Sequence, residues 1–597
     1  MSTLIHRLHQ WAETQPQSPA QSMKRGGEWK TIPAQDFRDR VFALAMYLDS
    51  RGFTPDDSVC ILSYNCPEWV HMDLAPGLLG GKTAGIYPNS TAKDIHYIVD
   101  HTQARFLAVQ NKEYFQKIVG KQGEHALPAT IECVFVFDGD TSVHPKAVAY
   151  ETALAEGRKL AAGKQIQPYL DRMDPHRGAF LIYTSGTTGS PKGALISHDN
   201  LVYTAGLAIS FWKIPPASEL FSFLPLCHIA EKIQNLGVGI CLNGKVSFCT
   251  AFEKVSTEIV EVQPTILLSV PRLWEKMMEG VDHKLSQATG AKAKLAAWAL
   301  RVSRKFAQAK YAGKGKIGLT DVVQLKLADK LVLSKVRHAL GLSRAVVCAS
   351  GAAALPAHVS RWFRALQLEI LEDFGQTEST GVICMTLPGV DCAGTVGKPV
   401  PGTEFRLASD GEILTKGRHV FKGYFRNDDA TEETLVDGWL HTGDLGELDD
   451  RGLLKIKGRK KEIIKTSGGK MIAPLPIEDR LKASPLISQA CMVGDGRKYL
   501  SMLVTLSEGV LKELQGKPGA LGDGVVKDAA TLADVKREVD ALNSSLANFE
   551  KIKQVTVLAA EFSIESGDMT ATMKMKRNVI EQNYKHLIDK MYAGGGE

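Results

Sequence analysis

Apolar positions along the chain change their period in blocks. Residues 40–52, RVFALAMYLDSRG, carry helical spacing. SVCILSY (58–64) follows as a continuous apolar run of strand length, and PEWVHMDLAPGLLGG (67–81) returns to a helical pattern before its Gly pair. Similar alternation recurs through 178–275 and 344–385, which predicts layered α/β structure. After about residue 394 the texture shifts to short strands and turns: GTVGKPVPGTEFRL, DGEILTKG and DDRGLLKIKG. Another compact stretch with both helical and strand signals begins near 460 and runs to the end. Between the two, GRKKEIIKTSGGK (458–470) is charged and contains glycine, as a linker would. The expected fold class is α/β. A large N-terminal domain of layered sheets with a β-rich subdomain (1–459) precedes a small α+β C-terminal domain (460–597).

Residues 283–340 break this texture, with about thirteen Lys/Arg against about two Asp/Glu. Leu295, Trp298, Val302 and Phe306 fall on one helical face, and Arg301, Arg304 and Lys305 fall around it. Two readings stay open. One is a core-packed helix pair with a solvated basic side, and it is the favoured one; the other is peripheral contact with anionic lipid headgroups.

Composition narrows the class only a little. A chain of 597 residues is too long for one small core, and 44% hydrophobic with 23% charged residues is globular. No apolar run approaches the roughly 18–20 residues of a spanning helix, and the N-terminus lacks a secretory pattern. Ten cysteines are scattered without CxxC or metal-site spacing, which fits free thiols in a reducing cytoplasm. A net charge of +6 does not imply a nucleic-acid partner.

The most informative string is FLIYTSGTTGSPKGALISH, residues 180–198. An apolar strand runs into Gly, Ser and Thr residues, then Pro191-Lys192-Gly193, then a second strand-like run. Glycines let successive N–H groups turn toward one point and form a concave anion site. Hydroxyls of Thr184, Ser185, Thr187 and Thr188 add donors, and Lys192 adds positive charge. Neither GxxxxGK[ST] nor GxGxxG occurs in this string, so it is neither a P-loop of the Walker type nor a dinucleotide fingerprint.

YTSGTTGSPKG resembles the signature of the adenylate-forming superfamily, and further motifs follow in its order. Leu224-Pro225-Leu226-Cys227-His228, Asp373-Phe374-Gly375-Gln376-Thr377-Glu378 and Gly438-Trp439-Leu440-His441-Thr442-Gly443-Asp444 each resemble one element. Gly458-Arg459-Lys460-Lys461-Glu462-Ile463-Ile464-Lys465 resembles the hinge motif, and Gly567 to Arg577 resembles the C-terminal lysine motif with Ala571 where proline is usual.

The resemblance implies a two-step reaction. A carboxylate attacks the α-phosphate of ATP and releases pyrophosphate; a thiol then attacks the acyl-adenylate and expels AMP. It implies ATP contacts from Thr184, Ser185, Gly186, Thr187, Thr188, Gly189 and Lys192, and from Gly351, Asp373, Phe374, Thr377, Asp444, Arg459 and Lys465. Phe374 would lie against adenine, Thr377 would meet the α-phosphate, and Asp444 and Arg459 would hold the ribose. Mg²⁺ would sit on Glu378 with the Thr184 hydroxyl nearby. Lys574 would bridge carboxylate and phosphate, and His228 would shape the site at the acyl carbonyl. Lys461 would be the pivot of a mobile C-terminal domain that brings in the Lys465–Lys470 loop for CoA.

Val270-Pro271-Arg272-Leu273-Trp274-Glu275-Lys276 and the basic insertion resemble the long-chain branch. The leading expectation is therefore a medium- to long-chain fatty acyl-CoA synthetase, cytoplasmic or peripheral to the inner face of a membrane. The alternatives are an acyl-AMP ligase that feeds a carrier protein and an inactive binding relative, and the intact charged residues oppose the last. Apolar residues in 221–248 suit either an acyl tunnel or ordinary core.

Overall fold

The computed structural model describes residues 2–121, 123–184, 191–313, 315–570 and 574–593. Among these residues the strands form two large sheets, a β-rich unit, a short hairpin and a C-terminal sheet. In the first large sheet the strand order is 147–149, 133–136, 106–109, 58–62, 82–86, 178–184 and 192–197. All neighbours are parallel except the last, which returns antiparallel along Gly178–Thr184. Cys60–Leu62 and Leu107–Val109 are covered on both faces, which is why they read as unbroken apolar runs.

The second large sheet has a parallel centre of 370–374, 347–350, 266–269, 219–222, 245–248 and 19–25, with antiparallel strands at both edges. Helix Ala34–Ser50 forms at the predicted place and buries Val41 through Leu48. Helix Pro67–Leu74 is shorter than its apolar pattern and tightens into a 3₁₀ turn over Ala75–Leu79. Pro76 is the cause, because it donates no backbone hydrogen bond and its ring crowds the preceding turn.

The turn-rich stretch folds as an antiparallel unit in which Trp439–Leu448 is central and pairs with Leu454–Arg459. The C-terminal sheet is mixed: Ile487–Val493 runs antiparallel to Leu500–Leu506, which runs parallel to Ile552–Leu558. Its own apolar cluster includes Met492, Met502, Val504 and Leu506. The segment expected as a plain linker is more ordered than that, since Ile464–Lys465 pairs with Met471–Ile472 and Ile464 is buried.

Helix Gly290–Ala312 packs Ala299 and Val302 into the second large core, with Trp298 and Leu300 against it. Leu295 departs from the expected shared face and is exposed, because the core covers the helix only from about Trp298 onward. Most apolar residues of 221–248 are packed as core, including Phe221, Leu226, Leu236, Ile240 and Phe248. The void beside Leu236, Gly239 and Ile240 measures only about 10 Å³.

Candidate functional site

The site lies where carboxyl ends of parallel strands from both large sheets meet the β-rich unit, the usual crevice of an open α/β sheet. Thr184 ends strand Gly178–Thr184 and lies opposite Lys192 in the ladder. The Thr184 hydroxyl and the Lys192 carbonyl are 3.5 Å apart. Ser185, Gly186, Thr187, Thr188 and Gly189 lie outside the described residues.

Beyond the loop, Lys192 extends over Tyr424, with its ammonium 5.0 Å from the ring centre. The Tyr424 hydroxyl in turn donates to Glu378 Oε1 at 2.6 Å. Burial, then the Glu378 charge, raises the phenol well above its ordinary range. Thr377 and Glu378 are both buried on a single 3₁₀ turn after strand Ile370–Phe374. That turn closes tightly: a Cβ at Gly375 would lie 2.4 Å from the Gly381 carbonyl oxygen, so only glycine fits there.

Gly351 is constrained from another side. A Cβ there would lie 2.9 Å from both carboxylate oxygens of Asp373. Asp373 Oδ1 is buried and has no hydrogen-bond partner among the described residues. Burial pushes this carboxyl up to about 7. Phe374 is half-buried and packs beside Ile383 and Cys384.

Asp444 and Arg459 face each other across the antiparallel ladder, and Arg459 Nε donates to Asp444 Oδ1 at 3.0 Å. The Asp444 carboxylate is the main cause of the raised Arg459 pKa. Gln376 Nε2 reaches the Thr442 carbonyl at 3.2 Å and ties the Glu378 turn to the Asp444 strand.

Lys574 enters from the C-terminal part into the field of Asp444, Arg459 and Glu462. Burial first, then the Arg459 charge, lowers its pKa against the pull of the two acids. Its backbone is fixed locally: the Thr570 N–H donates to the Lys574 carbonyl at 2.8 Å, and Thr570 Oγ1 accepts from the Lys574 N–H at 3.0 Å.

His228 is the neighbour on the acyl side. Burial, then the Lys574 charge, brings its imidazole down to about 4, so it is neutral near pH 7. Its Nδ1 accepts the Ala230 N–H at 3.2 Å, which leaves the ring proton on Nε2 as a donor. The preceding loop is clamped by Asn65, whose Nδ2 donates to the Leu224 carbonyl at 2.5 Å while its Oδ1 accepts the Leu226 N–H at 3.0 Å. Beneath it, Ser222 Oγ donates to the buried Glu231, which burial pushes up to about 8.

The structure thus brings together Thr184, Lys192, Glu378, Thr377, Asp444, Arg459, Lys574 and His228, with Gly351 and Asp373 packed against each other at the neighbouring strand ends. Lys461 and Lys465 are exposed and, among the described residues, are not joined to that cluster by a hydrogen bond or ion pair. The Lys465 N–H is held instead by Asp495. Sequence motifs do not reach Tyr424 or Asn65, and they include Gln376 without a role. Their contacts span 46 to 161 positions, and a lone Tyr after Gly423 carries no periodic signal. All ten cysteines are free, and Cys227, next to His228, is buried with a strongly raised pKa.

Glu378 offers a carboxylate and Thr184 a hydroxyl, donor types that suit Mg²⁺, a cation that takes few protein oxygens and shares phosphate oxygens. Among the described residues no group of three His, Cys, Asp or Glu could form a closed metal cage, and no helix is long and apolar enough to cross a membrane.

Comparison with known proteins finds relatives along nearly the whole chain. The family described as AMP-binding enzyme matches residues 8–425, and the AMP-binding enzyme C-terminal domain matches 461–595. Long-chain-fatty-acid–CoA ligase ACSBG2 of Xenopus laevis is 32% identical over 611 residues, covering 97% of this chain and 82% of that protein. Long-chain-fatty-acid–CoA ligase FadD15 of Mycobacterium tuberculosis is 32% identical over 583 residues, covering 95% and 93%. Among solved structures, the A-PCP didomain of carboxylic acid reductase from Segniliparus rugosus in complex with AMP shares the fold at a TM-score of 0.76 and 19% identity, covering 99% of this chain and 82% of that one. Anthranilate CoA ligase AuaEII with anthranoyl-AMP shares it at 0.72 and 19% identity, covering 98% of each chain. With both family regions matched in order and the site residues converging at the strand ends, the chain belongs to the AMP-binding enzyme family.

Proposed function

We propose that this protein activates a medium- to long-chain fatty acid with ATP to an acyl-adenylate and transfers the acyl group to CoA, releasing AMP and pyrophosphate. The observation that supports the reading is that Lys574 shares an electrostatic field with both the Asp444–Arg459 pair and His228. An ammonium at that point offsets repulsion between an attacking carboxylate and a phosphate, and the neutral His228 offers Nε2–H to an acyl oxygen. Asp444 and Arg459 hold the ribose, Lys192 and the loop 184–190 the phosphates, and Glu378 with Thr184 the Mg²⁺. When bound, that cation neutralises phosphate charge. The acid and the CoA acceptor are supported by the two relatives named as long-chain-fatty-acid–CoA ligases.

The working division is an N-terminal domain of 1–459 and a C-terminal domain of 460–597. The C-terminal domain turns about Lys461 between the two half-reactions and presents Lys465–Lys470 to CoA. The exposed Lys461, and a separate apolar cluster in the C-terminal sheet, support this motion.

A cytoplasmic enzyme that touches the inner face of a membrane also fits. Leu319, Val323 and Leu327 are exposed on the helix Leu319–Ala328, and Lys316, Lys326 and Lys330 lie in the same segment. Co-sedimentation with anionic vesicles at low salt, lost in Leu319→Glu/Val323→Glu, is the expected result; no binding by the parent protein sinks this part.

The chemistry is tested by pyrophosphate and AMP release from the parent protein and Lys574→Ala, with acids of eight to eighteen carbons, with and without CoA. AMP release that requires CoA and a long acid, with pyrophosphate release lost in the variant, is the expected result. Pyrophosphate release without acyl-CoA formation would move the acceptor from CoA to a carrier protein.

A further inference from the structure

The motif around Arg272 has no part in the chemistry above, yet its arginine joins the large part of the chain to the lysine that enters the site. Arg272 is the second residue of helix Pro271–Ser286, and its side chain is only 11% exposed. Nη2 donates to Ser488 Oγ at 2.9 Å and to Glu561 Oε1 at 2.8 Å, both in the C-terminal part. Nη1 lies 3.3 Å from Glu275 and 3.4 Å from Glu279 on its own helix. Ser488 Oγ also donates to Glu561, and Lys482, paired with Asp479, adds a second C-terminal cation in the field of Glu275.

Glu561 stands at the root of the excursion that carries Lys574. It follows strand Ile552–Leu558, and the next residue is pinned, with the Phe562 N–H donating to Gln489 Oε1 at 2.8 Å. Gln489 also contacts Met569 Sδ at 3.3 Å, and Met569 bridges to Met575, the residue after Lys574. A continuous run of contacts thus leads from the Arg272 guanidinium to the Lys574 backbone.

From this we infer that Arg272 is a positioning residue: its fork on Ser488 and Glu561 seats the C-terminal part in the disposition that inserts Lys574, and so selects for the first half-reaction. An exposed ion pair holds two parts together weakly, but this one is largely withdrawn from solvent and shared among three carboxylates. Without the guanidinium, Glu561 faces Glu275 and Glu279, and like charges drive the parts away from this disposition. The second half-reaction, which uses the C-terminal part in another position, does not need the contact. The inference rests on the proposed role of Lys574.

The test uses the full chain and separates the halves: acid-dependent pyrophosphate release for the first, and CoA-dependent consumption of synthetic acyl-AMP for the second. Arg272→Ala is expected to slow the first by at least ~10-fold and the second by less than about twofold. Glu561→Gln, made from the other side of the contact, should give the same split, and the double variant should lose little more than either one. Equal losses in both halves, or no loss in the first, overturn the inference. Lys574→Ala in the same assays keeps the two levels apart. If it spares the first half, the reading of Lys574 fails; if it abolishes the first half while Arg272→Ala and Glu561→Gln do not touch it, the reading of Arg272 fails alone.

Discussion

Tyr424 donates a 2.6 Å hydrogen bond to Glu378, while the Lys192 ammonium lies over the same ring at 5.0 Å. One aromatic side chain therefore fixes the acidic residue proposed for Mg²⁺ and faces the lysine proposed for phosphate. Tyr424→Phe keeps the ring and removes only the hydroxyl. Its half-saturating Mg²⁺ for pyrophosphate release should rise on the order of 10-fold, the usual cost of losing a partner that orients a metal ligand. The rate at saturating Mg²⁺ should stay close to that of the parent. An unchanged Mg²⁺ titration would remove Tyr424 from the site.

Asp444→Asn leaves Arg459 without its carboxylate partner in the ladder. Hydrogen bonds to charged groups contribute roughly 1.5–3 kcal/mol, so nucleotide affinity should fall by about 10- to 100-fold. Fluorescent ATP-analogue titration checks this directly, and thermal unfolding of the ligand-free variant separates it from general damage.

Gly351→Ala places a methyl group 2.9 Å from both Asp373 oxygens. Overpacking of this kind costs about 1–3 kcal/mol. Denaturant midpoints should show the loss in Gly351→Ala and its recovery in Gly351→Ala/Asp373→Ala. Failure of the second change to restore stability would place the clash elsewhere.

Glu231 supplies a pH prediction. Burial raises its pKa from 4.5 to about 8, so the folded state binds its proton more tightly than the unfolded chain. That contribution is fully present below pH 4.5 and is lost as pH rises toward about 8. Glu231→Gln should match the parent near pH 4 and be more stable above pH 8, by roughly several kcal/mol at one pKa unit per 1.36 kcal/mol. Urea unfolding across that range is the measurement; a pH-independent difference would mean that Glu231 is already ionised in the fold. His228 acts in the opposite sense, since its folded pKa is depressed and its contribution is lost as pH falls through about 4.

Much of this site is legible in the sequence because its groups sit inside short motifs at the ends of strands. Strand Gly178–Thr184 and the Asp444–Arg459 pair each occupy the kind of element that the local pattern predicts, whereas the turn of Thr377 and Glu378 is marked only by its motif. The supporting residues are legible only in space. Asn65 clamps a loop about 160 positions away, and Arg272 meets a carboxylate 289 positions away; neither interaction leaves a periodic trace. The basic segment misleads in a different way. Helical spacing groups Leu295 with Val302, but spacing cannot tell where the covering core stops.

The cysteines have a consequence for fidelity. An acyl-adenylate is an acylating agent, and a thiolate beside it is a competitor for the intended acceptor. Cys227 adjoins His228, but burial holds it in the thiol form; Cys60, Cys249, Cys348 and Cys491 are likewise pushed up to about 12. On the proposed chemistry, burial keeps these side chains in the thiol form and so weakens them as competitors for the acyl group.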